Sequence, residues 1–415
     1  EAAKSHRVAF QSGDERVDIL RVRVHKADGT VSEDFESWTS GGSRKGSTTY
    51  NDTSYVNVQA NNVGVGDLVE VQYRLAQVAN ANFRGDYFGD IAYLQGGRPI
   101  GFAQYALVFP KSWKLHFRPP SLPHEKVENE LPNQKKPPEG FQSVAFRMRD
   151  LPNVQTDPSQ PGASDVYDYI LVSNKETYDE IGSWWWSLVK EQLIVDDQIK
   201  AKVKELVKGK RTDDEKIQAI HNYVVKNTRY LHVGLGIHGW KPYRTTTAFR
   251  NRYGDCKDKA ALLKVMLEEA GITANLVLVR TRRLGKVQAY PASMHVFNHA
   301  ITYVPSKNLF LDGTAEFNGT TELTSMDQGA QAVVIEDGGK ARFLELPIDK
   351  ADNNLMKTDL EVDLTGEKPV MRGKLVAKGA NAVYFRSVME DPERRNEVLE
   401  KQLAKGNPNA RVLVA

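Results

Sequence analysis

The period of the hydrophobic pattern changes along this chain, and that change constrains the fold more than any other feature. Up to about residue 120 apolar and polar residues alternate, as in "RVDILRVRVHKADG", "SYVNVQANNVGVGDLVEVQYRLAQV" and "FAQYALVFPKSWKLHF". Alternation with a period of two predicts half-buried strands. Since no helical pattern interrupts these runs, we predict a β-sandwich-like N-terminal domain.

Helical periods begin at about Lys175 and include "TDDEKIQAIHNYVVKNT", in which Thr212 can cap and Glu215 completes a capping box. Three predicted strands follow the next helix, at "NLVLVRTRR", "HAITYV" and "LFLDGTA". Helices followed by strands indicate an α+β core.

A chain of 415 residues is expected to form two or three domains at roughly 100–200 residues each. We predict a multi-domain α+β protein with a β domain at 1–165, an α+β core at 166–348 and the start of a β-rich domain at 349–415. This last part has a strand pair, a helix and the ending "ARVLVA", where another strand begins. The third domain is therefore expected to be incomplete.

Charge and composition exclude several classes of function. Lys and Arg number 56 against 53 Asp and Glu, without a block of like charge, so no nucleic-acid partner is expected. No apolar run approaches the ~18 residues that span a bilayer. One cysteine allows neither an internal disulfide nor a multi-cysteine metal site. We expect no cofactor and no metal.

The single cysteine, Cys256, lies at a predicted helix N-terminus within "RNRYGDCKDKAALLKVMLEEAGI". Asp255 is the expected N-cap and Gly271 the stop. One buried stripe is predicted, consisting of Leu263, Met266, Leu267 and Ala270. The partial positive charge at the helix start favours a thiolate, and its N–H groups can bind an oxyanion. A small buried residue is the alternative interpretation of this cysteine.

A nucleophilic cysteine needs a base and a group that orients the base, and a predicted hairpin offers both. With the turn at "PSKN", Asp312 lies opposite Ile301 and shares a face with His299 at a diagonal position. Diagonal neighbours are ~7–8 Å apart at the backbone, within reach of two polar side chains. His295 is the rival base.

Three of these motifs together resemble a known family. "YGDCKDKAALLKVMLEEAGI", "FNHAITYV" and "LFLDGTA" resemble the transglutaminase-like core of the papain-like cysteine superfamily. The Gly-Asp-Cys-Lys-Asp form is similar to that of bacterial proteins in which the core follows a domain called DUF3857. The Asp28-Gly29 turn, "YNDTSYVNVQANNVGVGD" and "YFGD" resemble that domain, and the tail from about Asp352 resembles the β-rich domain that often follows.

The resemblance implies a catalytic triad of Cys256, His299 and Asp312, the residues already selected by the chemistry. It also implies that "TRYLHVGLGIHGWKPYRTTTAFRNRYGD" lines the cleft. The candidate substrate-cleft residues are Trp240, His238, Tyr253 and His295. His232 and His238 flank "GLGI" and are interpreted as loop or strand residues that could also face the cleft.

Three further residue groups receive structural interpretations. Asp255 is expected to cap its helix, and Asp258 to form a salt bridge or anchor a loop. The run "SWWWS", Trp184 to Trp186, is predicted to pack between domains, with stacking on a substrate or glycan as the alternative.

Two functions are carried forward from the sequence. The first is a cysteine-dependent acyl-transfer enzyme acting on peptide or side-chain amides, as a protease or amidase, or as a transamidase. Hydrolysis is favoured because water needs no second binding site. The alternative is a non-catalytic scaffold that recognises proteins or glycans. The expected partners are a protein or peptide substrate and a cell-envelope component, and a bacterial periplasm or cell envelope is favoured over the cytoplasm.

Overall fold

The computed structural model describes residues 4–41, 49–50, 53–78, 87–131, 135–233, 236–366, 368–403 and 412. The chain begins with two small antiparallel sheets, ordered β1-β6-β4 and β3-β2-β7. Their strands are β1 (Ser5–Gln11), β2 (Glu15–His25), β3 (Val31–Ser32), β4 (Phe35–Gly41), β5 (Thr49–Tyr50), β6 (Thr53–Ala60) and β7 (Leu68–Gln77). Strand β5 lies outside both sheets.

These two sheets face each other across a small valine-rich core. Val22 and Val24 of β2 pack with Val56, Val58 and Ala60 of β6. The buried residues are two apart in each strand, because successive side chains point to opposite faces of a sheet. The predicted alternation therefore produces a sandwich-like N-terminal region.

A second pair of three-stranded sheets follows, ordered β11-β12-β9 and β10-β13-β8. Their strands are β8 (Gly89–Tyr93), β9 (Ile100–Pro110), β10 (His116–Arg118), β11 (Glu125–Glu128), β12 (Phe141–Leu151) and β13 (Tyr169–Ser173). The rings of Phe117 and Phe146 connect the two sheets, with centroids 5.6 Å apart. Strand β13 follows the predicted boundary at residue 165, yet it pairs with β8 and β10.

The helical part begins with α1 and contains five longer helices. Their bounds are α1 (Ala163–Val166), α2 (Tyr178–Val189), α3 (Asp197–Val207), α4 (Asp213–Asn227), α5 (Thr245–Asn251) and α6 (Cys256–Glu269). Thr212 caps α4 through the predicted capping box with Glu215. Helix α6 is central, because α3, α4 and α5 contact it and strands of the core sheet pack against it as well.

The central position of α6 corrects the sequence prediction of one buried stripe. Every residue from Lys257 to Leu267 is buried. Two of these residues are lysines whose ammonium groups bind main-chain oxygens. Lys259 Nζ donates to Thr228 O at 2.5 Å, and Lys264 Nζ donates to Ala274 O at 2.6 Å.

A five-stranded antiparallel sheet forms the other layer of the core, in the order β19-β18-β17-β20-β21. Its strands are β17 (Asn275–Arg280), β18 (His299–Val304), β19 (Leu309–Leu311), β20 (Gln331–Ile335) and β21 (Ala341–Glu345). Three short strands precede it, β14 (Arg229–Tyr230), β15 (His232–Val233) and β16 (Tyr253–Gly254). Strand β14 pairs with β16, and β15 pairs with β5 of the N-terminal region.

The C-terminal segment is a hairpin followed by two helices. Its elements are β22 (Met356–Asp363), β23 (Val370–Ala377), α7 (Ala380–Val388) and α8 (Arg395–Leu403). The strand expected at "ARVLVA" lies, apart from Val412, outside the described residues. No helix in the described ranges combines the length and apolarity needed to cross a membrane. The protein is thus a mixed α+β molecule with a β-rich N-terminal region and an α+β core, as predicted.

Candidate active site

The N-terminus of α6 positions Cys256 through a capping box. Asp255 is the N-cap, and Asp255 N donates to Asp258 Oδ2 at 3.0 Å while the Asp255 side chain accepts from Asp258 N. Asp258 also anchors the preceding loop, because its Oδ1 accepts from Tyr243 N at 2.8 Å. Gly254 is required here, since a Cβ on it would lie 2.6 Å from Asp258 Cβ. Cys256 is therefore the first residue of α6, as predicted, and it is only partly buried.

The hairpin of β18 and β19 brings His299 to Asp312 in the predicted register. Thr302 pairs with Leu311 and Val304 with Leu309, so the position of Asp312 lies opposite Ile301. His299 Nε2 donates to Asp312 Oδ2 at 3.3 Å. The side chains of His299 and Asp312 are 14% and 2% exposed, so the pair is largely shielded from solvent.

Cys256 lines the same cleft as His299 and is close enough to influence the charge state of the His299 ring. Because Nε2 faces Asp312, the other ring nitrogen, Nδ1, is the one available to the sulfur. Burial on its own would lower the pKa of His299, but the charge and hydrogen bond of Asp312, helped by Cys256, raise that pKa well above its usual value. The imidazole is thus held as a cation between a carboxylate and a thiol.

Asp312 is held as a carboxylate by several donors. Thr314 N and Thr314 Oγ1 donate to its Oδ1 at 2.8 and 2.7 Å. Burial raises the pKa of Asp312, but the charge and hydrogen bond of His299 and the two Thr314 donors outweigh burial and lower it to about 2. On the main chain, His221 Nε2 donates to Asp312 O at 3.1 Å.

Cys256 and His299 line one cleft of about 510 Å³. Its walls combine aromatic and polar side chains, among them Trp185, Tyr230, His232, Trp240, Lys257, Arg283, Phe297 and Asn298. Of the four candidate substrate-cleft residues, Trp240 lines this cleft. The other three are absent from its lining among the described residues.

Those three residues have other positions. His238 stacks on Tyr243 with ring centroids 3.8 Å apart, and Tyr253 is 40% exposed. The ring of His295, the rival base, lies against Trp240 at 5.0 Å, and its Nδ1 is 3.2 Å from the Tyr87 hydroxyl. The structure therefore places His299, and not His295, beside Cys256 and Asp312.

The tryptophan run of α2 forms part of the cleft wall and of a packing interface. Trp185 is 1% exposed, and its Nε1 donates to Trp240 O at 2.9 Å. Trp184 packs on Tyr87, which precedes β8, with centroids 4.7 Å apart. This contact joins the N-terminal half to the core.

Three ionisable groups near the triad were not among the predicted catalytic residues, although the sequence had indicated that one of them, His232, could face the cleft. His232 Nδ1 lies 3.1 Å from Asp255 Oδ2, and Lys257 Nζ donates to the same oxygen. Asp327, on the loop between β19 and β20, lies with His299 and Asp312 so that one ligand atom from each is within 4.8 Å of the others. These three are the described residues whose spacing could accommodate a cation. Asp327 has no sequence signal, because it lies in the turn "TSMDQGA".

Two family models match parts of the chain. Residues 1–155 match DUF3857, a domain of unknown function with a solved structure, and residues 200–308 match the transglutaminase-like superfamily. No curated protein matches the chain.

Two solved structures are similar. One, named a "putative protease" from Parabacteroides distasonis, has a TM-score of 0.63 and 16% identity over 83% of this chain and 64% of that one. This chain therefore spans less than two thirds of that protein, and the likeness concerns the fold. A second, named a "putative cysteine protease" from Cytophaga hutchinsonii, has 13% identity over 70% of this chain and 92% of the other, and its TM-score of 0.26 is too low to indicate a shared fold. The protein combines a DUF3857 domain with a transglutaminase-like core.

Proposed function

We propose that the protein is a cysteine-dependent acyl-transfer enzyme in which Cys256, His299 and Asp312 are the catalytic residues. The observation that carries the proposal is the position of His299, which hydrogen bonds to the Asp312 carboxylate and lines the same cleft as Cys256, whose thiol helps to raise the pKa of His299. A nucleophile, a base and a group that orients the base, in contact and open to a cleft, are the parts that such chemistry requires.

The reaction begins with the Cys256 thiolate and the His299 imidazolium. The sulfur attacks an amide carbonyl, the C–S bond forms, and the oxyanion is stabilised by main-chain N–H groups at the start of α6. The C–N bond then breaks, and His299 gives its proton to the leaving amine. Asp312 keeps the imidazole oriented through Nε2.

The acyl-enzyme is then released by a second nucleophile. His299 takes a proton from water, the hydroxide attacks the thioester carbonyl, and the C–S bond breaks to give a carboxylic acid and the thiolate. With an amine in place of water, the product is a new amide. We favour hydrolysis, because water needs no second binding site.

The substrate that we infer is a peptide or a side-chain amide. The cleft of about 510 Å³ accommodates a few residues, since drug-sized ligands fill pockets of roughly 300–1,000 Å³. Its aromatic walls, Trp185, Trp240 and Phe297, suit apolar side chains next to the reacting carbonyl.

One incubation distinguishes the two outcomes. The protein is mixed with casein and a labelled primary amine, and both label incorporation and new peptide ends are measured. Hydrolysis predicts new ends that disappear in Cys256→Ser, whereas incorporation that depends on Cys256 would show transamidation. If neither product depends on Cys256 over a range of protein and peptide substrates, the proposed function is contradicted.

A further inference from the structure

Next to the triad lies a second carboxyl group, which the reaction described above does not use. Asp327 is 1% exposed, and Asp312 is 3% exposed. One carboxylate oxygen of each lies within 4.8 Å of the other and of a ring nitrogen of His299. If both carboxyl groups were ionised, they would carry two negative charges, and one imidazolium can neutralise only one of them.

The hydrogen bonds of the two carboxyls show which one carries a proton. Oδ2 of Asp327 accepts from Thr324 Oγ1 at 2.8 Å. Oδ1 of Asp327 has no donor in reach among the described residues when both carboxyls are ionised. A buried carboxylate oxygen without a donor is costly, and carboxyls in contact share one proton. A proton between Asp327 and Asp312 supplies the missing hydrogen bond.

The proton belongs on Asp327, because Asp312 has more donors. Asp312 accepts from His299 and twice from Thr314, whereas Asp327 accepts only from Thr324 among the hydrogen bonds to its carboxylate in the described part of the chain. Burial and then the charge of Asp312 raise the pKa of Asp327 to about 6, against the lowering effect of the His299 charge.

We propose that Asp327 is a positioning residue of the active site, whose protonated carboxyl donates a hydrogen bond to Asp312, so that Asp312 stays aligned with His299. This inference rests on the proposed function, since it assigns Asp327 a part in the same triad. When Asp327 loses the proton, the hydrogen bond is lost and a second negative charge faces His299. The charge state of Asp327 therefore sets the pH range in which the triad is aligned.

The other charged groups near the cluster are few. His299 at the start of β18 and Asp312 after β19 face Asp327 directly. Lys259 of α6 is close enough to feel the charge of Asp312, and His221 of α4 meets its main-chain oxygen. Burial lowers the pKa of Lys259 to about 8 despite the nearby charges of Glu316 and Asp312, so this lysine stays protonated below neutral pH.

The test follows the ring resonances of His299 by NMR from pH 4.5 to 9 in protein labelled at histidine, with the resonance assigned by its loss in His299→Gln. The wild-type protein is expected to show an inflection near pH 6 from Asp327, followed by the titration of His299 itself. EDTA is present throughout, because a cation bound by His299, Asp312 and Asp327 would mask this titration.

Two variants give opposite expectations. Asp327→Asn keeps a donor for Asp312 but cannot ionise, so the inflection near pH 6 should disappear and His299 should titrate at lower pH than in wild type. Thr324→Val removes the donor that stabilises the Asp327 carboxylate, so the inflection should move to higher pH. A purely structural Asp327 would leave the His299 titration curve the same in all three proteins, and this result would overturn the inference.

The rate of Cys256 alkylation by iodoacetamide separates this inference from the proposed function. At pH 5, Asp327→Asn, which keeps a donor for Asp312, should react at least tenfold faster than Asp327→Ala, which lacks the donor. If wild-type alkylation depends on His299 but Asp327→Asn keeps the inflection, only the present inference fails. If wild-type alkylation is independent of His299, the proposed function fails, whatever the NMR result.

Discussion

At the scale of single residues, the candidate site consists of Cys256 at the start of α6 and the hydrogen-bonded pair of His299 and Asp312 on the hairpin of β18 and β19. The sequence predicted Cys256 at a helix start, because an N-cap residue is followed by a buried helical pattern. It predicted that His299 and Asp312 lie close together from the cross-strand register of a hairpin. Asp327 could not be predicted, because it lies in an irregular loop where no period relates sequence distance to distance in space. His232 was noticed, but its pairing with Asp255 depends on β14 lying next to β16, a contact between distant segments.

The charge on Asp312 should stabilise the folded protein in a defined pH range. The folded-state pKa of this carboxyl is lowered from 3.8 to about 2, so its contribution is fully present above pH 4 and is lost as the pH falls towards 2. The contribution is on the order of 2 kcal/mol.

Urea unfolding of wild type and Asp312→Asn at pH 2, 3, 4 and 6 measures this effect. The wild-type advantage in free energy of unfolding should be largest at pH 4 and 6 and should shrink towards pH 2. A difference that stays constant from pH 2 to pH 6 would show that His299 and Thr314 do not lower the pKa of Asp312 in the folded protein.

At the scale of elements, α6 is the piece on which the site depends. The sequence predicted its start and its N-cap, since capping is local chemistry. It underestimated the burial of the helix, because helices pack on one side of α6 and a sheet packs on the other. These are tertiary contacts, which the local sequence pattern does not show. Lys259 and Lys264 are not among the residues predicted to be buried, yet they are 0% and 1% exposed, because main-chain oxygens of neighbouring segments accept from their ammonium groups.

Removal of the α6 cap should cost more than removal of an ordinary cap. Asp255→Ala loses a capping box, worth about 1 kcal/mol, and also leaves Lys257, which is 7% exposed, without its carboxylate. Loss of one partner of a buried ion pair costs about 3–5 kcal/mol, so the total should exceed 3 kcal/mol.

The matched control is Thr212→Ala, which removes the capping box of α4 at an exposed position and should cost about 1 kcal/mol. Free energies of unfolding from urea titration at pH 7 compare the two variants. Equal losses would mean that Asp255 acts as a cap alone and that Lys257 does not depend on it.

At the scale of the whole molecule, the hydrophobic periods gave the division into β-rich and α+β parts, which the structure confirms. They did not reveal how closely the parts are joined. Strand β13 follows the predicted boundary but completes a sheet with β8 and β10, and Tyr87 reaches the core beside the cleft. Such contacts join residues far apart in the chain and leave no local pattern. The domain limits at 165 and 348 remain a prediction.

The Tyr87 hydroxyl should be a structural link between the N-terminal half and the core. It accepts from Met294 N at 2.8 Å and lies 3.1 Å from Ser293 Oγ. Tyr87→Phe leaves the buried Met294 N–H without this acceptor, and the expected loss of stability is about 1–3 kcal/mol.

Tyr73→Phe is the control, since Tyr73 is 44% exposed and should change stability by less than about 0.5 kcal/mol. Urea unfolding followed by tryptophan fluorescence reports on both variants, because Trp184 packs directly on Tyr87. If Tyr87→Phe unfolds with the same free energy as Tyr73→Phe, the hydroxyl does not link the two halves.

The most direct measurement is the second-order rate constant for alkylation of Cys256 by iodoacetamide at pH 6, followed by intact-protein mass. The account predicts that the wild-type thiol reacts at least tenfold faster than free cysteine, because Cys256 is the first residue of α6 and shares its cleft with the His299 imidazolium, and that His299→Ala removes most of this advantage. A wild-type rate equal to that of His299→Ala, or no faster than free cysteine, would contradict the account.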